Sequence, residues 1–477
     1  MRNLAAFAGG AALGVALAAQ KASRDQRRSV WSDSLPPEAC AARHARKVAR
    51  IARALRGRSG GAPLSLRKRS VSHEVPKAGD VRRRDEKVDA SGLTGIIDVD
   101  PAARVCTAES GVTFVDLVEA TLRHGLVPTV VPELKTITVG GAVCGCSIES
   151  MSFQHGGFHD SCLEYEVVTA GGEVLTCAPR GEHPLLFQMM HGSFGTLGIL
   201  TRLKFRLVPA AAYVKVTYEK HRSFEGYLAA IWDHFRARDV DFMDGILHSP
   251  SECVLSVARF VERAPYTHRY DWMRVYHQST RERREDHLRT PDYFFRYDRG
   301  VTNRTPRSVL GRLLLGKFAG SSAVLRAAEK LHWLLDSERP MVTLDVFVPF
   351  SRAAEFMRWY QGEVGFFPLW CVPYKLARRY EWLSERFCRG LRDELFLDIA
   401  IYGMKQRPGR DFHREMEQKL LALGGLKTLI SHNSFSEEDF WKIWNRENYR
   451  RVKSLTDPAN VFRDLYEKTC RAAQGRP

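Results

Sequence analysis

A glycine-rich stretch constrains the fold of this chain more than any other feature of its sequence. Residues 138–157 read TVGGAVCGCSIESMSFQHGG and contain five glycines, with Glu149 as the one acid among them. Glycine at this density forms a tight turn or lets the backbone approach another group closely. The stretch therefore predicts either a turn packed on protein or a backbone surface that lies against a cofactor.

Strands and helices predicted from apolar spacing alternate on both sides of this stretch. Val48, Ile51 and Leu55 recur at helical spacing and predict a helix over 39–57. Thr113 is expected to cap a second helix over 113–124. We predict strands at 63–66, 95–100, 104–109 and 127–132, a hairpin over 165–177 with its turn at 171–172, a long strand after a turn within 191–209, and a solvated helix face at 281–289.

The charge of the chain is basic and unevenly placed. The 477 residues carry a net charge of +17, and residues 1–60 hold twelve Lys or Arg against three acids. A nucleic-acid-binding protein would combine such charge with interleaved aromatic residues or a known module, which this segment lacks. We therefore exclude nucleic acid as a partner and expect an anionic membrane surface instead.

The ten cysteines predict neither a metal site nor a disulfide framework. None forms a CxxC pair, and no Cys/His set has zinc spacing. Cys144 and Cys146 alternate along the glycine-rich stretch and are expected to be small apolar fillers. Cysteines without a framework in a chain of this length fit a reducing compartment.

The N-terminal segment is uncharged and apolar over residues 4–19, which is short for a membrane-spanning helix. Basic residues follow it closely, so the positive-inside rule keeps the rest of the chain in the cytoplasm. We expect a protein on the cytoplasmic face of a membrane, held peripherally or by a single N-terminal anchor. A signal peptide and an unstructured extension are the alternatives for this segment.

Several ordered motifs carry a family resemblance. They are PELKTITVGGAVCGCSIESMS at 132–152, PLWCVP at 368–373, LDIAIYG at 397–403 and VFRDLYEKTCRAA at 461–473. In this order they resemble the vanillyl-alcohol-oxidase-type flavoproteins with a PCMH-type FAD-binding domain, and most closely the Δ24-sterol reductase branch. The chain is also similar to bacterial flavin reductases that saturate a methylene branch on fatty acyl chains.

The resemblance implies an α+β fold, with a PCMH-type FAD-binding domain of two α/β subdomains and an α+β substrate (cap) domain. The implied division is an N-terminal extension at 1–35, the FAD-binding domain at 36–210 and the cap with C-terminal helices at 211–477. The implied cofactors are FAD, held non-covalently because no glycine-histidine pyrophosphate motif is present, and NADPH as electron donor. The implied substrate is a lipid.

The resemblance also implies which residues contact FAD. The basic turn at 67–70 is expected to neutralise the pyrophosphate, with an exposed basic turn as the alternative. The glycine-rich stretch is expected to present its backbone N–H groups to the flavin. The implied FAD-binding residues are Arg67, Lys68, Arg69, Ser70, Thr113, Pro132, Thr138, Gly140, Gly141, Gly145, Ser147, Ser150, Gly195, Gly198 and Ile199.

Reduction of an isolated double bond needs a proton donor opposite the flavin. Glu149, Tyr374 and Lys375 are the predicted catalytic residues, and the side-chain chemistry also admits His155, His159 and His432. Three functions stay open at this point. They are a lipid double-bond reductase, an oxidase or dehydrogenase of an alcohol or sugar lipid, and a non-catalytic flavin- or lipid-binding protein.

Overall fold

A computed structural model of the protein describes residues 35–70, 80–271, 274–298 and 341–472. The predicted anchor at 4–19 lies outside these residues. Among the helices in the described part, none combines the length and the apolar composition that crossing a membrane requires.

The described helices are mostly short and connect strands. They are α1 (Pro37–Arg56), α2 (Phe114–Leu122), α3 (Val139–Cys144), α4 (Ser152–His155), α5 (Pro184–Met189), α6 (Phe224–Ala237), α7 (Tyr276–Ser279), α8 (Thr290–Phe294), α9 (Ala353–Glu363), α10 (Glu385–Gly390), α11 (Phe412–Leu423), α12 (Glu437–Ile443) and α13 (Arg446–Thr456).

The described strands form three sheets. They are β1 (Leu64–Arg67), β2 (Glu86–Asp89), β3 (Ile96–Asp100), β4 (Val105–Glu109), β5 (Leu126–Pro128), β6 (Cys162–Val168), β7 (Val174–Cys177), β8 (Ile199–Pro209), β9 (Tyr213–His221), β10 (Phe242–Ser249), β11 (Glu252–Val261), β12 (Glu285–Arg289), β13 (Val342–Pro349), β14 (Leu369–Lys375), β15 (Leu395–Met404) and β16 (Leu426–Lys427).

The first half contains the two smaller sheets. Strands β1 and β2 pair in parallel, whereas the six-stranded sheet is antiparallel in the order β3-β4-β8-β6-β7, with β5 beside β8. Thr113 caps α2 by accepting a hydrogen bond from Asp116 N, and Gly172 N bonds to Thr169 O in the turn between β6 and β7. The predicted capped helix and hairpin are confirmed, as is the α+β class.

Helix α1 confirms the helix predicted over 39–57, and it packs on the sheet through one face. Its buried residues include Val48, Ile51 and Leu55. His44 and Lys47, on the same side, reach Glu109 of β4 at 2.9 and 2.6 Å. These charged contacts fix the helix above the strand that precedes α2.

An eight-stranded antiparallel sheet forms the second half, in the order β12-β9-β11-β10-β14-β15-β13-β16. Successive side chains on a strand point to opposite faces. On β15, Leu397 and Ile399 pack with α6, α9 and α11 in one core, whereas Phe396 belongs to a separate cluster with Phe347 and Tyr374. The second face of this sheet turns toward the first half.

The prediction of a solvated helix face at 281–289 is wrong. Residues 285–289 form β12, at the edge of the larger sheet. Asp286 is fully buried there, where Tyr218 donates to it at 2.9 Å and Arg283 forms an ion pair with it. Burial of one charged face against tyrosines made a strand out of a sequence whose composition resembles a solvated helix.

The C-terminal segment after α12 contacts the first half of the chain. Tyr449 Oη donates to Thr196 Oγ1 at 2.9 Å, Lys468 Nζ donates to Phe194 O at 2.7 Å, and Leu64 N donates to Val461 O at 2.9 Å. The sheets change between β8 and β9, near the predicted boundary at 210. The domain boundaries themselves stay a prediction.

The glycine-rich stretch begins with a helical turn, α3, rather than a loop. Thr138 caps this turn by accepting from Gly141 N at 3.2 Å, and Gly145 N donates to Gly141 O at 2.9 Å. Gly140 N donates to Ser110 O at 2.9 Å. The helical turn and its neighbour thus use these three N–H groups, and the FAD contacts predicted at these glycines stay a prediction.

Gly140 is needed for packing on protein. A Cβ at this position would lie 2.6 Å from Ser110 Cβ and 2.8 Å from Ser110 O. We expect Gly140→Ala to lower the free energy of unfolding by about 1–3 kcal/mol, as overpacking does. Urea unfolding of the FAD-free protein measures this, and Gly362→Ala, where an added Cβ meets nothing within 4 Å, is the control. Equal stability of the two variants would contradict the packing role.

Candidate active site

A cavity lies between the glycine-rich turn and the second face of the larger sheet. We call it the aromatic cavity. The turn contributes Gly145 and Cys146 to its wall. The other side carries large aromatic rings, namely Phe347, Tyr374, Tyr380, Trp382, Phe396 and Trp444. A wall of this kind binds an apolar molecule and leaves a few polar groups to orient it.

Two phenol groups face the aromatic cavity and continue into a buried acid. Tyr374 Oη and Tyr380 Oη lie 2.6 Å apart, and Tyr380 donates to Asp160 Oδ2 at 2.7 Å. Burial, followed by the charge of Asp160, raises the pKa of Tyr374 well above its usual value. Burial and its neighbours do the same to Tyr380. Both phenols are therefore protonated at neutral pH.

His159 also lines the aromatic cavity and is fully buried. Burial lowers the pKa of His159, and it lowers the pKa of the adjacent His191 well below the usual value, so both rings are uncharged at neutral pH. Within the described residues, neither ring nitrogen of His159 has a hydrogen-bond partner. The ring can therefore accept or pass on a proton.

One edge of the aromatic cavity is polar. Lys427 and Thr428 line it; Lys427 Nζ is 2.9 Å from Glu417 Oε1, and Thr428 donates to Asp345 Oδ2 at 3.3 Å. Burial raises the pKa of Asp345 to about 6 and raises that of the neighbouring Asp398 well above its usual value. This edge thus carries carboxyl groups that bind protons far more readily than exposed ones.

Glu149 is tied to the larger sheet rather than to the aromatic cavity. Ser150 donates to its carboxylate through both N and Oγ. Arg296 Nη2 lies 3.4 Å from Glu149 Oε1 and 3.0 Å from Asp244 Oδ1 on β10. All of these groups are buried. The predicted acid therefore belongs to a salt-bridge cluster that joins the turn to the sheet.

The other two predicted catalytic positions lie side by side on β14. Tyr374 lines the aromatic cavity. Lys375, the next residue, lies on the opposite face because successive side chains alternate along a strand. The structure thus brings Tyr374 to the cavity wall and separates it from both Glu149 and Lys375.

Two lysines lie close enough to Cys144 in the glycine-rich turn to act on it by their charge. Burial raises the pKa of the Cys144 thiol, and the charges of Lys68 and Lys468 oppose that rise, so both lysines act on the turn. Gly141 is exposed, and a Cβ there would meet Thr138 Oγ1 at 3.1 Å and nothing closer. Two cations beside an open backbone surface fit a diphosphate-bearing cofactor such as FAD.

The remaining predicted FAD contacts fall into two groups. Some have structural partners: Arg67 pairs with Asp89 at 2.8 Å, Thr113 and Thr138 cap helices, and an added Cβ at Gly198 would lie 2.7 Å from Val167 Cγ1. The others differ in exposure: Arg69 is exposed, Ser70, Ser147 and Gly195 are partly buried, and Pro132, Ile199 and Ser150, which donates to Glu149, are buried.

Sequence reasoning missed Tyr380, Asp160 and Arg296. Tyr380 follows PLWCVP by a few residues, and its signal was an aromatic residue within the charged run ARRYEW. Asp160 and Arg296 carry no local signal, because each is recognisable by partners that are distant along the chain.

The chain is similar to known FAD-binding proteins. Residues 39–178 match the model of an FAD binding domain. The chain is 26% identical to Delta(24)-sterol reductase of Homo sapiens, over 80% of this chain and 77% of that protein. It is 23% identical to Delta(24)-sterol reductase of Arabidopsis thaliana, over 92% and 87%. It is also 30% identical to cytokinin dehydrogenase 5 of Arabidopsis thaliana, over 44% and 40%.

The matched region contains the glycine-rich turn, Lys68 and the sheet beneath them, which are the parts of the structure that fit FAD. The match to the sterol reductases covers 80% and 92% of the chain. Residues 39–178 match an FAD binding domain, the chain as a whole is similar to the Δ24-sterol reductases, and together these similarities identify an FAD-dependent oxidoreductase with a PCMH-type FAD-binding domain.

Proposed function

We propose that this oxidoreductase reduces a carbon–carbon double bond of a lipid, with NADPH as the electron donor. The lipid is a sterol side chain or a methylene-branched acyl chain. FAD, when bound, supplies the hydride for such a reduction. The observation that carries the proposal is the aromatic cavity, whose wall joins the FAD-binding half to apolar rings of the larger sheet.

Protonation at the cavity wall favours reduction. Tyr374 and Tyr380 keep their protons at neutral pH because burial raises the pKa of both. Reduction of a double bond consumes one proton, so a wall that offers protonated hydroxyl groups suits this direction. The names of the similar proteins, Delta(24)-sterol reductase in several organisms, support the same reaction.

An alcohol dehydrogenase or oxidase is the second candidate, and His159 is the observation that favours it. Oxidation of an alcohol requires a base near the flavin, and a neutral imidazole can take that proton. His159 lines the aromatic cavity and its pKa is lowered by burial. The similarity to a cytokinin dehydrogenase covers less than half of the chain and carries less weight.

We place FAD, bound non-covalently, along the exposed side of the glycine-rich turn. Gly141 is exposed and Gly145 lines the aromatic cavity, so both present a backbone without a side chain to the flavin. Lys68 and Lys468 would neutralise the diphosphate by charge. Arg67 already pairs with Asp89, so Lys68 is the residue of the basic turn that would contact the diphosphate.

We also propose that the protein binds an anionic membrane surface on the cytoplasmic side. Helix α1 buries one face and exposes Arg43, Arg46, Arg50 and Arg53 on the other. Each basic residue near an anionic leaflet contributes about 1 kcal/mol of attraction. A lipid substrate makes this position useful, because the substrate need not cross water.

The proposed position of the flavin predicts that a side chain added at Gly141 prevents FAD binding. Gly141→Val should remove FAD, because the new side chain projects from the exposed side of the turn into the space proposed for the flavin. Flavin released into the supernatant by acid precipitation measures the stoichiometry and also tests non-covalent attachment. The control is Gly362→Val on α9. Full flavin content in Gly141→Val would contradict the proposed position of FAD along the turn. Yellow colour in the acid pellet would contradict non-covalent binding.

The proposed reaction predicts a two-step spectroscopic experiment. Anaerobic NADPH should bleach the flavin absorbance, and a lipid with a side-chain or methylene double bond should restore it without oxygen. The saturated alcohol of the same lipid should bleach nothing. Bleaching by the alcohol, together with no response to NADPH, would overturn the reductase proposal in favour of the dehydrogenase.

Membrane attachment predicts the behaviour of a truncated chain. Removal of residues 1–30 should release most of the protein from membranes, with FAD still bound because the proposed flavin contacts begin at 67–70. Substitution of the four α1 arginines by Gln should further weaken binding to vesicles that contain anionic lipid. An exported form that begins near Ala19 would show instead that the segment is a signal peptide.

A further inference from the structure

Tyr374, Tyr380 and Asp160 form a continuous hydrogen-bonded chain that crosses between the two halves of the molecule. Tyr374 comes from β14 of the larger sheet, and Asp160 comes from a 3-10 turn at Phe158–Ser161 in the FAD-binding half. Tyr380 joins them, with oxygen–oxygen distances of 2.6 Å to Tyr374 and 2.7 Å to Asp160. Both distances are those of good O–H···O hydrogen bonds.

The chain runs from the aromatic cavity toward the surface. Tyr374 and Tyr380 line the cavity, and the side chain of Asp160 behind them is 5% exposed. Arg378, with 31% of its side chain exposed, lies 3.3 Å from the other oxygen of Asp160. One residue, Arg378, thus separates the Asp160 carboxyl group from solvent, and two phenol hydroxyl groups connect it to the cavity.

We propose that Tyr374 is the proton donor of the reduction and that Asp160 replenishes its proton through Tyr380. This inference rests on the proposed reductase function. It assigns a catalytic role to Tyr374 and proton-relay roles to Tyr380 and Asp160, which the family comparison does not assign.

The step balances without any further reactant than the two-electron donor already named. The double bond receives a hydride equivalent on one carbon and the phenolic proton of Tyr374 on the other. Tyr380 passes its proton to Tyr374 and receives the proton that Asp160 has taken up from solvent. Asp160 ends as a carboxylate that accepts a hydrogen bond from Tyr380, which is the arrangement that the structure shows.

Donors face both carboxylate oxygens of Asp160. Gly157 N donates to Oδ2 at 2.9 Å and Arg378 faces Oδ1, so the carboxylate is stabilised. His159 Nε2 lies 3.4 Å from Oδ2. Because burial lowers the pKa of His159, the imidazole is neutral and Arg378 is the positive charge beside Asp160.

Stopped-flow kinetics of the two half-reactions test the relay in the FAD-loaded enzyme. Reduction of the flavin by NADPH should be unchanged in Tyr374→Phe, Tyr380→Phe and Asp160→Asn, because the relay acts after it. Reoxidation by the lipid alkene should slow about 100-fold in Tyr374→Phe and at least about tenfold in the other two. Tyr360→Phe, which removes the hydroxyl of a buried tyrosine in the other core, is the matched control.

A solvent-isotope readout separates a relay from a structural role. In mixtures of H2O and D2O, the wild-type reoxidation rate should depend non-linearly on the deuterium fraction, because several protons move together. Tyr380→Phe should make this dependence linear, and Asp160→Glu should restore the rate relative to Asp160→Asn. A non-linear dependence retained in Tyr380→Phe, or equal slowing of both half-reactions, would overturn the relay. Failure of every alkene to reoxidise the reduced wild-type enzyme would instead overturn the reductase function, and the relay with it.

Discussion

The salt bridges of Arg296 hold the two halves of the molecule in the position on which the cavity depends. Its guanidinium is fully buried between Glu149 beside the glycine-rich turn and Asp244 on β10. Tyr297 and Trp370 donate to the same aspartate. Loss of one partner from a buried ion pair costs about 3–5 kcal/mol, because the other charge stays buried and unmatched. The turn and the sheet are therefore held together by charges that cannot separate without entering water.

Alternation along the strands of the larger sheet then decides what the cavity contains. On β13, β14 and β15, one face packs against helices, and the other presents Phe347, Tyr374 and Phe396 to the FAD-binding half. The same face carries the carboxyl groups of Asp345 and Asp398 next to these rings. Burial behind aromatic side chains keeps phenols and carboxyls protonated to a higher pH than water would. Packing and proton chemistry thus have one cause, the desolvation of this face.

The sequence predicts the structure correctly where local spacing determines it. The helix at 39–57 and the hairpin turn at 171–172 follow from apolar periodicity and glycine, and the structure contains both. The sequence does not predict contacts between residues that are distant along the chain. Asp160 and Tyr380 are separated by 220 positions, and Asp286 is buried by tyrosines from other elements although its neighbours are charged. The glycine-rich stretch was recognisable as a close approach, yet Gly140 approaches Ser110, which no spacing rule indicates.

Binding of the proposed lipid would be linked to proton uptake by the buried acids beside the polar edge of the cavity. Burial already raises the pKa of Asp345 to about 6 and that of Glu133, which lies close enough for their charges to interact, to about 8. A lipid in the aromatic cavity would exclude more water from this edge, and desolvation raises the pKa of a carboxyl group further. Linkage then requires that binding of the lipid draw protons onto these groups near neutral pH. An apolar substrate would thereby bring the acids of its own site into the protonated state that reduction of a double bond uses.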